Sequence, residues 1–196
     1  MFAEYERAAE GSVESLRAWW LRRLIQTPYP LLEKLTLFWH AHFAVSRADV
    51  GRAPMLQRHV QLLREQALGN FRSLLRAVMF DPATLVCLRA EKSRKAAPPA
   101  ALARTLLARF TVGEGNFSES DVTETARAFT GWFVNRNSRE FYPREFDDGE
   151  KNIFSKKGNF TAEEVLDVIA DQRATSQTIV RKLYRQFVSE VDEPGD

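Results

Sequence analysis

The stretch that decides the fold is FTVGEGNFSESDVTETARAFTGW, residues 110–132. Ser118 stands at an N-cap position, and Asp121, three residues later, completes a capping box of the S-x-x-D type. Gly131 follows the apolar positions of the helix and can end it in a left-handed conformation. The stretch therefore predicts a glycine-bearing turn followed by one amphipathic helix with defined ends.

Apolar residues recur at helical spacing on both sides of this stretch, and proline or glycine interrupts them at the expected ends. A short helix is predicted to begin at Asp81-Pro82, and the last helix contains Ile179, Leu183 and Phe187. The other predicted helices run approximately over Val13–Leu24, Leu31–Phe43, Pro54–Gly69, Phe71–Phe80, Leu102–Phe110, Glu119–Thr130 and Thr161–Ala170.

Only residues 132–154 lack a helical period, and their aromatic residues and the Asp148-Gly149 turn predict an irregular segment with at most a small hairpin. The predicted fold class is mainly α: a single-domain helical bundle with one irregular or short β excursion near residues 132–160. We interpret residues 1–196 as one such domain, truncated at both ends.

Composition excludes several classes of protein. A net charge of +2 is too small to imply a polyanionic partner, which disfavours nucleic-acid binding. The single cysteine, Cys87, excludes an internal disulfide framework. No apolar run approaches the roughly 20 residues of a transmembrane segment. No secretory leader or other targeting signal is visible in the sequence, so we assign no cellular compartment.

Further blocks keep a fixed order around the opening stretch: WHAHF (39–43), ALGNFRSLLRAV (67–78), DPATL (81–85), DDGEKNIFSKKGNF (147–160) and IVRKLYRQFVSE (179–190). In this order, from about Leu16 to Ser189, the chain resembles the bacterial family DUF1800, domain of unknown function 1800. The resemblance implies a mostly helical bacterial domain, often in exported proteins. It also implies a protein partner, because the family is frequently encoded beside a second uncharacterised family, DUF1501.

The chain departs from the family where acidic residues are expected. The family typically reads P-N-E-N-F-A-R-E-L-x-E-L-F, whereas residues 98–110 read PPAALARTLLARF and keep only Arg104 and the apolar positions. An Asp-Asn pair is replaced by Arg89-Ala90, and a histidine by Phe146. Aliphatic side chains neither accept protons nor ligate cations, so these losses argue against catalysis in this chain.

The histidines of WHAHF suggest a metal pair, but residues two apart on a helix point about 200° apart and cannot chelate one ion together. We therefore predict no metal site and no cofactor, and we favour structural roles for His40 and His42. His59 has no evident link to either of them.

Charged residues supply the other candidates for a ligand or anion site. The segment Asp147-Asp148-Gly149-Glu150-Lys151 has three carboxylates but lacks the spacing of a calcium loop, so a charged turn is favoured. Residues 58–109 carry an excess of basic side chains, interpreted mainly as a solvated face. The candidate residues for ligand or anion binding are His40, His42, Arg104, Arg127, Asp148 and Lys151; no catalytic residue is assigned.

Two functions of different classes remain open. The favoured one is a non-catalytic helical binding or scaffold domain that contacts another protein or a component of the cell envelope. The alternative is a hydrolase that depends on a metal or on acid–base chemistry and uses the region of His40 and His42.

Overall fold

The structure is a computed structural model that describes residues 12–190. Its backbone contacts divide the chain into two compact units, Met1–Cys87 and Leu88–Asp196, here called the N-terminal and the C-terminal unit. Each is described by itself. Within residues 12–190, no helix is long and apolar enough to cross a bilayer.

The described part of the N-terminal unit is helical. Start signals set its helix boundaries: the Ser12 hydroxyl accepts from the Ser15 amide at 3.2 Å, and the Asn70 side chain accepts from the Arg72 amide at 2.8 Å. Pro30 lies in the first turn of its helix, where its missing N–H costs nothing. The helices are α1 (Val13–Gln26), α2 (Pro30–Phe43), α3 (Arg47–Val50), α4 (Ala53–Gln66), α5 (Phe71–Met79) and α6 (Pro82–Cys87).

Helix α4 lies at the centre of the N-terminal unit, packed against α1, α2, α3, α5 and α6. Its Leu63 and Leu75 of α5 are both fully buried in the core of the N-terminal unit. The indole N–H of Trp39 in α2 donates to the Ala67 carbonyl oxygen at 3.1 Å, just past the end of α4. Since α4 touches so many helices, its buried side chains are held from several sides.

A buried carboxylate joins three helices of this unit. Glu33 of α2 is 1% exposed, and its Oε1 accepts from Nε of Arg23 in α1 and from Nε of Arg64 in α4, each at 2.8 Å. Burial of an ionised carboxylate is costly unless it is paired, and two guanidinium groups offset that cost here. The cluster links both α1 and α4 to α2.

The C-terminal unit combines helices with two short hairpins. Strands β1 (Trp132–Asn135) and β2 (Ser138–Phe141) pair antiparallel with Trp132 opposite Phe141, and β3 (Lys151–Ile153) pairs with β4 (Lys156–Gly158), with Lys151 opposite Gly158. The helical elements are α7 (Ala100–Thr105), a π-helical turn (Leu106–Phe110), α8 (Glu119–Ala128), a 3₁₀ turn (Pro143–Glu145), α9 (Ala162–Ala170) and α10 (Arg173–Phe187).

The capping box predicted at the start of α8 is confirmed. The Asp121 amide donates to the Ser118 hydroxyl at 3.1 Å, and the Ser118 amide donates to the Asp121 carboxylate at 2.9 Å. The other oxygen of Asp121 accepts from the Phe154 amide at 2.8 Å, at the turn between β3 and β4. The Asp121 side chain thus caps α8 and also accepts a hydrogen bond from the turn of the β3–β4 hairpin.

The prediction of a mainly α fold with a short β excursion is confirmed. The structure adds α3, whose four residues are too few for an apolar period, although Ser46 caps it by accepting from the Asp49 amide at 3.3 Å. The predicted helix that ends at Phe110 becomes π-helical in its last turn, where the Thr111 hydroxyl donates to the Leu106 carbonyl oxygen at 2.7 Å.

Candidate functional site

The two histidines of WHAHF lie on different sides of α2. His42 is buried among aromatic rings, with centroid distances of 4.7 Å to Phe43 and 5.7 Å to Trp39. His40 is partly buried, stacks edge-on against Trp20 at 5.1 Å and lines a cavity. Among residues 12–190, no group of three or more His, Cys, Asp or Glu side chains is placed to hold a metal ion.

The cavity that His40 lines lies within the N-terminal unit and has a volume of about 430 Å³. This is within the range of about 300–1,000 Å³ that is typical of small-molecule pockets. Its wall is mostly apolar and comes from α1, α2, α3, α4 and the connection between α2 and α3. The lining residues are Leu16, Arg17, Trp19, Trp20, His40, Ala41, Ala44, Val45, Ser46, Arg47, Leu56, His59 and Val60.

A buried histidine–aspartate pair lies at this cavity. Nδ1 of His59 is 2.9 Å from Oδ2 of Asp81, and the two side chains are 1% and 7% exposed. The same oxygen accepts from the Thr84 amide at 3.3 Å, because Asp81 stands just before α6. A carboxylate can only accept, so Nδ1 of His59 carries a proton and donates to Asp81.

Two buried nitrogens of the cavity lining have no hydrogen-bond partner: Nε2 of His59 and Nε1 of Trp20. Both atoms are shielded from any water-sized group, so neither is open to the cavity in this structure. An unsatisfied buried polar group costs about 1–3 kcal/mol.

The lining of the cavity contains two arginines and two histidines but no Asp or Glu. Arg47 donates to the exposed carboxylate of Glu14 at 2.6 Å, whereas Arg17 has no ion-pair partner among the described residues. The pKa of His40 is lowered, first because burial desolvates its charged form and second because His59 is close. The cavity therefore disfavours a further positive charge.

In the C-terminal unit, Arg127 of α8 organises the loop before β3. Its Nε and Nη2 donate to the two oxygens of Asp147 at 2.8 and 3.0 Å, and Nη1 donates to Glu124 at 2.7 Å. The guanidinium keeps the pKa of the Asp147 carboxyl below its ordinary value, against the opposing effect of burial. A Cβ atom on Gly149 would lie only 2.7 Å from Nη2, so a larger residue there would displace the Arg127 guanidinium from its present position.

Lys151 is 1% exposed and lies beneath the same loop. Its Nζ donates to the carbonyl oxygens of Asp147 at 2.6 Å and Gly149 at 3.0 Å, and it lies 4.9 Å from the ring centroid of Phe146. Burial lowers the pKa of Lys151. Asp148, by contrast, is exposed. The buried ammonium group of Lys151 thus stabilises the turn through hydrogen bonds to its carbonyl oxygens.

Arg104 is an exposed member of α7 that forms a two-pronged ion pair with Glu119 at the start of α8, with one N–O distance of 2.9 Å. This pair raises the pKa of Arg104 and lowers that of Glu119. In the basic segment, Arg94 donates to Glu145 at 2.6 Å and lies 5.4 Å from the ring centroid of Phe133. Both arginines are thus engaged within the C-terminal unit.

The six sequence candidates are divided between the two units. His40 and His42 belong to the N-terminal unit, and Arg104, Arg127, Asp148 and Lys151 to the C-terminal unit. Of the latter, the fold brings Arg127 and Lys151 to the same loop through Asp147. Their role in ligand or anion binding stays a prediction.

Sequence reasoning missed the buried pair of His59 and Asp81 beside the cavity. The two residues are 22 positions apart, and no motif spacing links them. The Asp81-Pro82 motif predicts only a helix start. The available signal was that a histidine stands on the apolar side of α4, next to Val60, where a buried ring requires a partner.

Comparison with known proteins gives one match. The model of the family described as "Protein of unknown function (DUF1800)" matches residues 3–196. No curated protein and no solved structure matches the chain.

Proposed function

The chain belongs to the DUF1800 family, and from this premise we propose that it is a non-catalytic helical binding domain whose N-terminal unit receives a small molecule. The observation that supports the proposal is the cavity of about 430 Å³, whose mostly apolar wall includes His40 and two arginines. Pockets for small molecules are mostly apolar and carry a few placed polar groups, which describes this lining.

The lining sets the character of the ligand. Aliphatic side chains and indole rings form most of the wall, and His40, Arg17 and Arg47 are among its polar residues. A compact organic molecule with an apolar body and polar groups at its edge fits these requirements.

The test is a binding screen with small alcohols, amides and carboxylates, observed through the indole N–H signals of the isotope-labelled protein. Ala41→Phe places a large ring at the cavity because Ala41 is an exposed lining residue of α2. Ala18→Phe is the matched control, since Ala18 is equally an exposed helical residue but does not line the cavity. We expect hits that Ala41→Phe abolishes and Ala18→Phe preserves; a screen without hits contradicts the proposal.

A hydrolase that works by acid–base chemistry is the second candidate, because Asp81 orients the imidazole of His59 as the carboxylate of a general-base pair does. Catalysis by His59 would need a movement that opens its shielded Nε2 to a substrate. The base is then His59 rather than the His40 and His42 region. Turnover of simple carboxylic esters that is lost in His59→Gln, while ligand binding is retained, would favour the hydrolase over the non-catalytic binding domain.

The family resemblance also supports a proposal about the source, the cellular location and the protein partner of this chain. We propose that the parent protein is bacterial and exported, and that its protein partner is of the DUF1501 type. Co-expression of the chain with a DUF1501 protein encoded beside it tests this partner. Co-elution at a fixed stoichiometry supports the proposal, and separate elution at micromolar concentration contradicts it.

A further inference from the structure

We propose that the N-terminal unit binds the surface of an anionic lipid bilayer through the end of its α1–α2 hairpin. The residues concerned, here called the hairpin tip, are Ile25, Pro28, Tyr29, Pro30 and Leu31. None of them lines the cavity, so this role is separate from the proposed ligand binding and goes beyond it.

The hairpin tip exposes a group of apolar side chains. Ile25 is 83% exposed, Tyr29 64% and Leu31 57%, and both prolines between α1 and α2 are exposed as well. Leu21, one turn before Ile25 on the same face of α1, is also exposed. Single exposed apolar side chains need no explanation, whereas a contiguous group marks an interaction site.

Hydrogen bonds hold the hairpin tip in one conformation. Oε1 of Glu33 in α2 accepts from Nε of Arg23 in α1 at 2.8 Å, which joins the two helices close to their connection. Within the connection, the Thr27 hydroxyl accepts from the Tyr29 amide at 3.0 Å, and the Tyr29 carbonyl oxygen accepts from the Glu33 amide at 3.3 Å. Because the tip is already ordered, its binding to a surface costs little conformational entropy.

Cations lie one turn behind the tip on both helices. Arg22 precedes Ile25 by three residues on α1, and Lys34 follows Leu31 by three residues on α2. Both cations are exposed, and residues at this spacing are neighbours on a helix surface. Each cation is therefore set back from the apolar end by about 4.5 Å along its helix.

The charge of this surface selects an anionic partner. The one carboxylate within residues 15–37 is Glu33, which is 1% exposed and already paired with two arginines. The exposed charged side chains of this range are Arg17, Arg22 and Lys34, all of them basic. Basic residues near an anionic leaflet strengthen binding by about fivefold each.

The order of apolar and basic groups selects a bilayer. Interfacial segments bury their apolar side chains about 5–10 Å into the boundary between headgroups and acyl chains, while their cations meet the phosphate layer outside it. The position of Arg22 and Lys34 behind the tip reproduces this order, and tyrosine, as at position 29, is enriched at the same depth. A protein partner would need a ring of carboxylates around an apolar pocket, whereas any anionic bilayer offers both layers.

The experiment is co-sedimentation of the purified full chain with two kinds of vesicle. One kind is phosphatidylcholine alone, and the other is an equal mixture of phosphatidylcholine and phosphatidylglycerol. We expect at least about tenfold stronger binding to the anionic vesicles, because Arg22 and Lys34 both meet the charged layer. Binding should weaken as the salt concentration rises, since salt screens exposed charges.

A substitution in the tip tests its apolar part. Ile25→Ser should weaken binding to the anionic vesicles about tenfold, because it removes apolar surface that the bilayer would bury. Leu68→Ser is the matched control, since Leu68 is 62% exposed in the same unit but lies outside the hairpin. It should bind as the unchanged chain does.

A charge substitution tests the basic part. The double variant Arg22→Gln, Lys34→Gln should weaken binding to the anionic vesicles at least about tenfold and leave binding to the neutral ones unchanged. Arg58→Gln with Arg76→Gln removes the same charge from exposed positions of α4 and α5 and should retain most of the binding. All of these side chains are exposed, so the core is left intact.

Several outcomes overturn the proposal. They are the absence of binding to either kind of vesicle, equal binding to both kinds, and equal losses in Ile25→Ser and Leu68→Ser. Self-association in analytical ultracentrifugation that Ile25→Ser abolishes, without vesicle binding, assigns the hairpin tip to a second copy of this chain instead. The cavity is tested independently by Ala41→Phe, so none of these outcomes decides on ligand binding.

Discussion

Nδ1 of His59 lies 2.9 Å from Oδ2 of Asp81 in the N-terminal unit, and both side chains are almost fully buried. The contact joins α4, the central helix, to the start of α6. It satisfies one edge of the imidazole, while Nε2 at the other edge is buried without a hydrogen-bond partner. The pair therefore stabilises the fold beside the cavity, which His59 helps to line.

Asp81→Ala should destabilise the N-terminal unit by about 2–4 kcal/mol, because it strands the buried Nδ1–H of His59 and removes the acceptor for the Thr84 amide. Asp81→Asn keeps an acceptor oxygen and should cost less than half as much. Urea unfolding followed by tryptophan fluorescence measures both variants. Wild-type stability of Asp81→Ala would show that the pair is dispensable, and equal losses in the two variants would contradict the role of the acceptor oxygen.

Glu33→Ala should cost about 3 kcal/mol, since it leaves Arg23 and Arg64 without the carboxylate on which both converge. Arg64→Ala should cost only about 1 kcal/mol, because its side chain is 29% exposed and Arg23 still neutralises Glu33. Unfolding in urea provides the comparison. A larger effect of Arg64→Ala than of Glu33→Ala would contradict the assignment of Glu33 as the centre of the cluster.

The helices and their ends were predictable because their signals are local. The capping box of Ser118 and Asp121, the proline at position 30 and the N-cap Asn70 each act within four residues of the boundary they set. The four-residue helix α3 and the π-helical turn at Leu106–Phe110 were not predictable, since neither alters the apolar period over a sufficient length.

The candidate site depends on contacts between distant parts of the sequence. His59 meets Asp81 only after α4, α5 and α6 have packed, and His40 joins them from α2. Helical geometry alone did predict one feature of this region: because His40 and His42 are two positions apart, they lie on different faces of α2. In the C-terminal unit, burial of Lys151 likewise follows from the path of the loop rather than from its charge pattern.

Lys151→Met should destabilise the C-terminal unit by about 2 kcal/mol. Methionine preserves the contact with Phe146 but removes the donors to the Asp147 and Gly149 carbonyl oxygens. Lys156→Met, at an exposed position of β4, is the control and should have no measurable effect. The measurement is thermal unfolding followed by circular dichroism, and equal melting temperatures of the two variants would contradict a structural role for Lys151.

The Arg127–Asp147 pair should make the C-terminal unit sensitive to acid. Its hydrogen bonds lower the pKa of Asp147 in the folded chain, so the folded state binds this proton more weakly than the unfolded state. The contribution of the pair is therefore complete above the unfolded pKa of about 3.9 and is lost as the pH falls through the lower folded pKa.

Asp147→Asn tests this relation. At pH 6 the variant should be less stable by about 1–2 kcal/mol, and the difference should shrink steadily below pH 4 in urea unfolding. In an Arg127→Leu background the same substitution should lose most of its effect, since the guanidinium is the first cause of the lowered pKa. A difference that stays constant from pH 6 to pH 2 would mean that Asp147 acts through its bond to the Gly149 amide and not through Arg127.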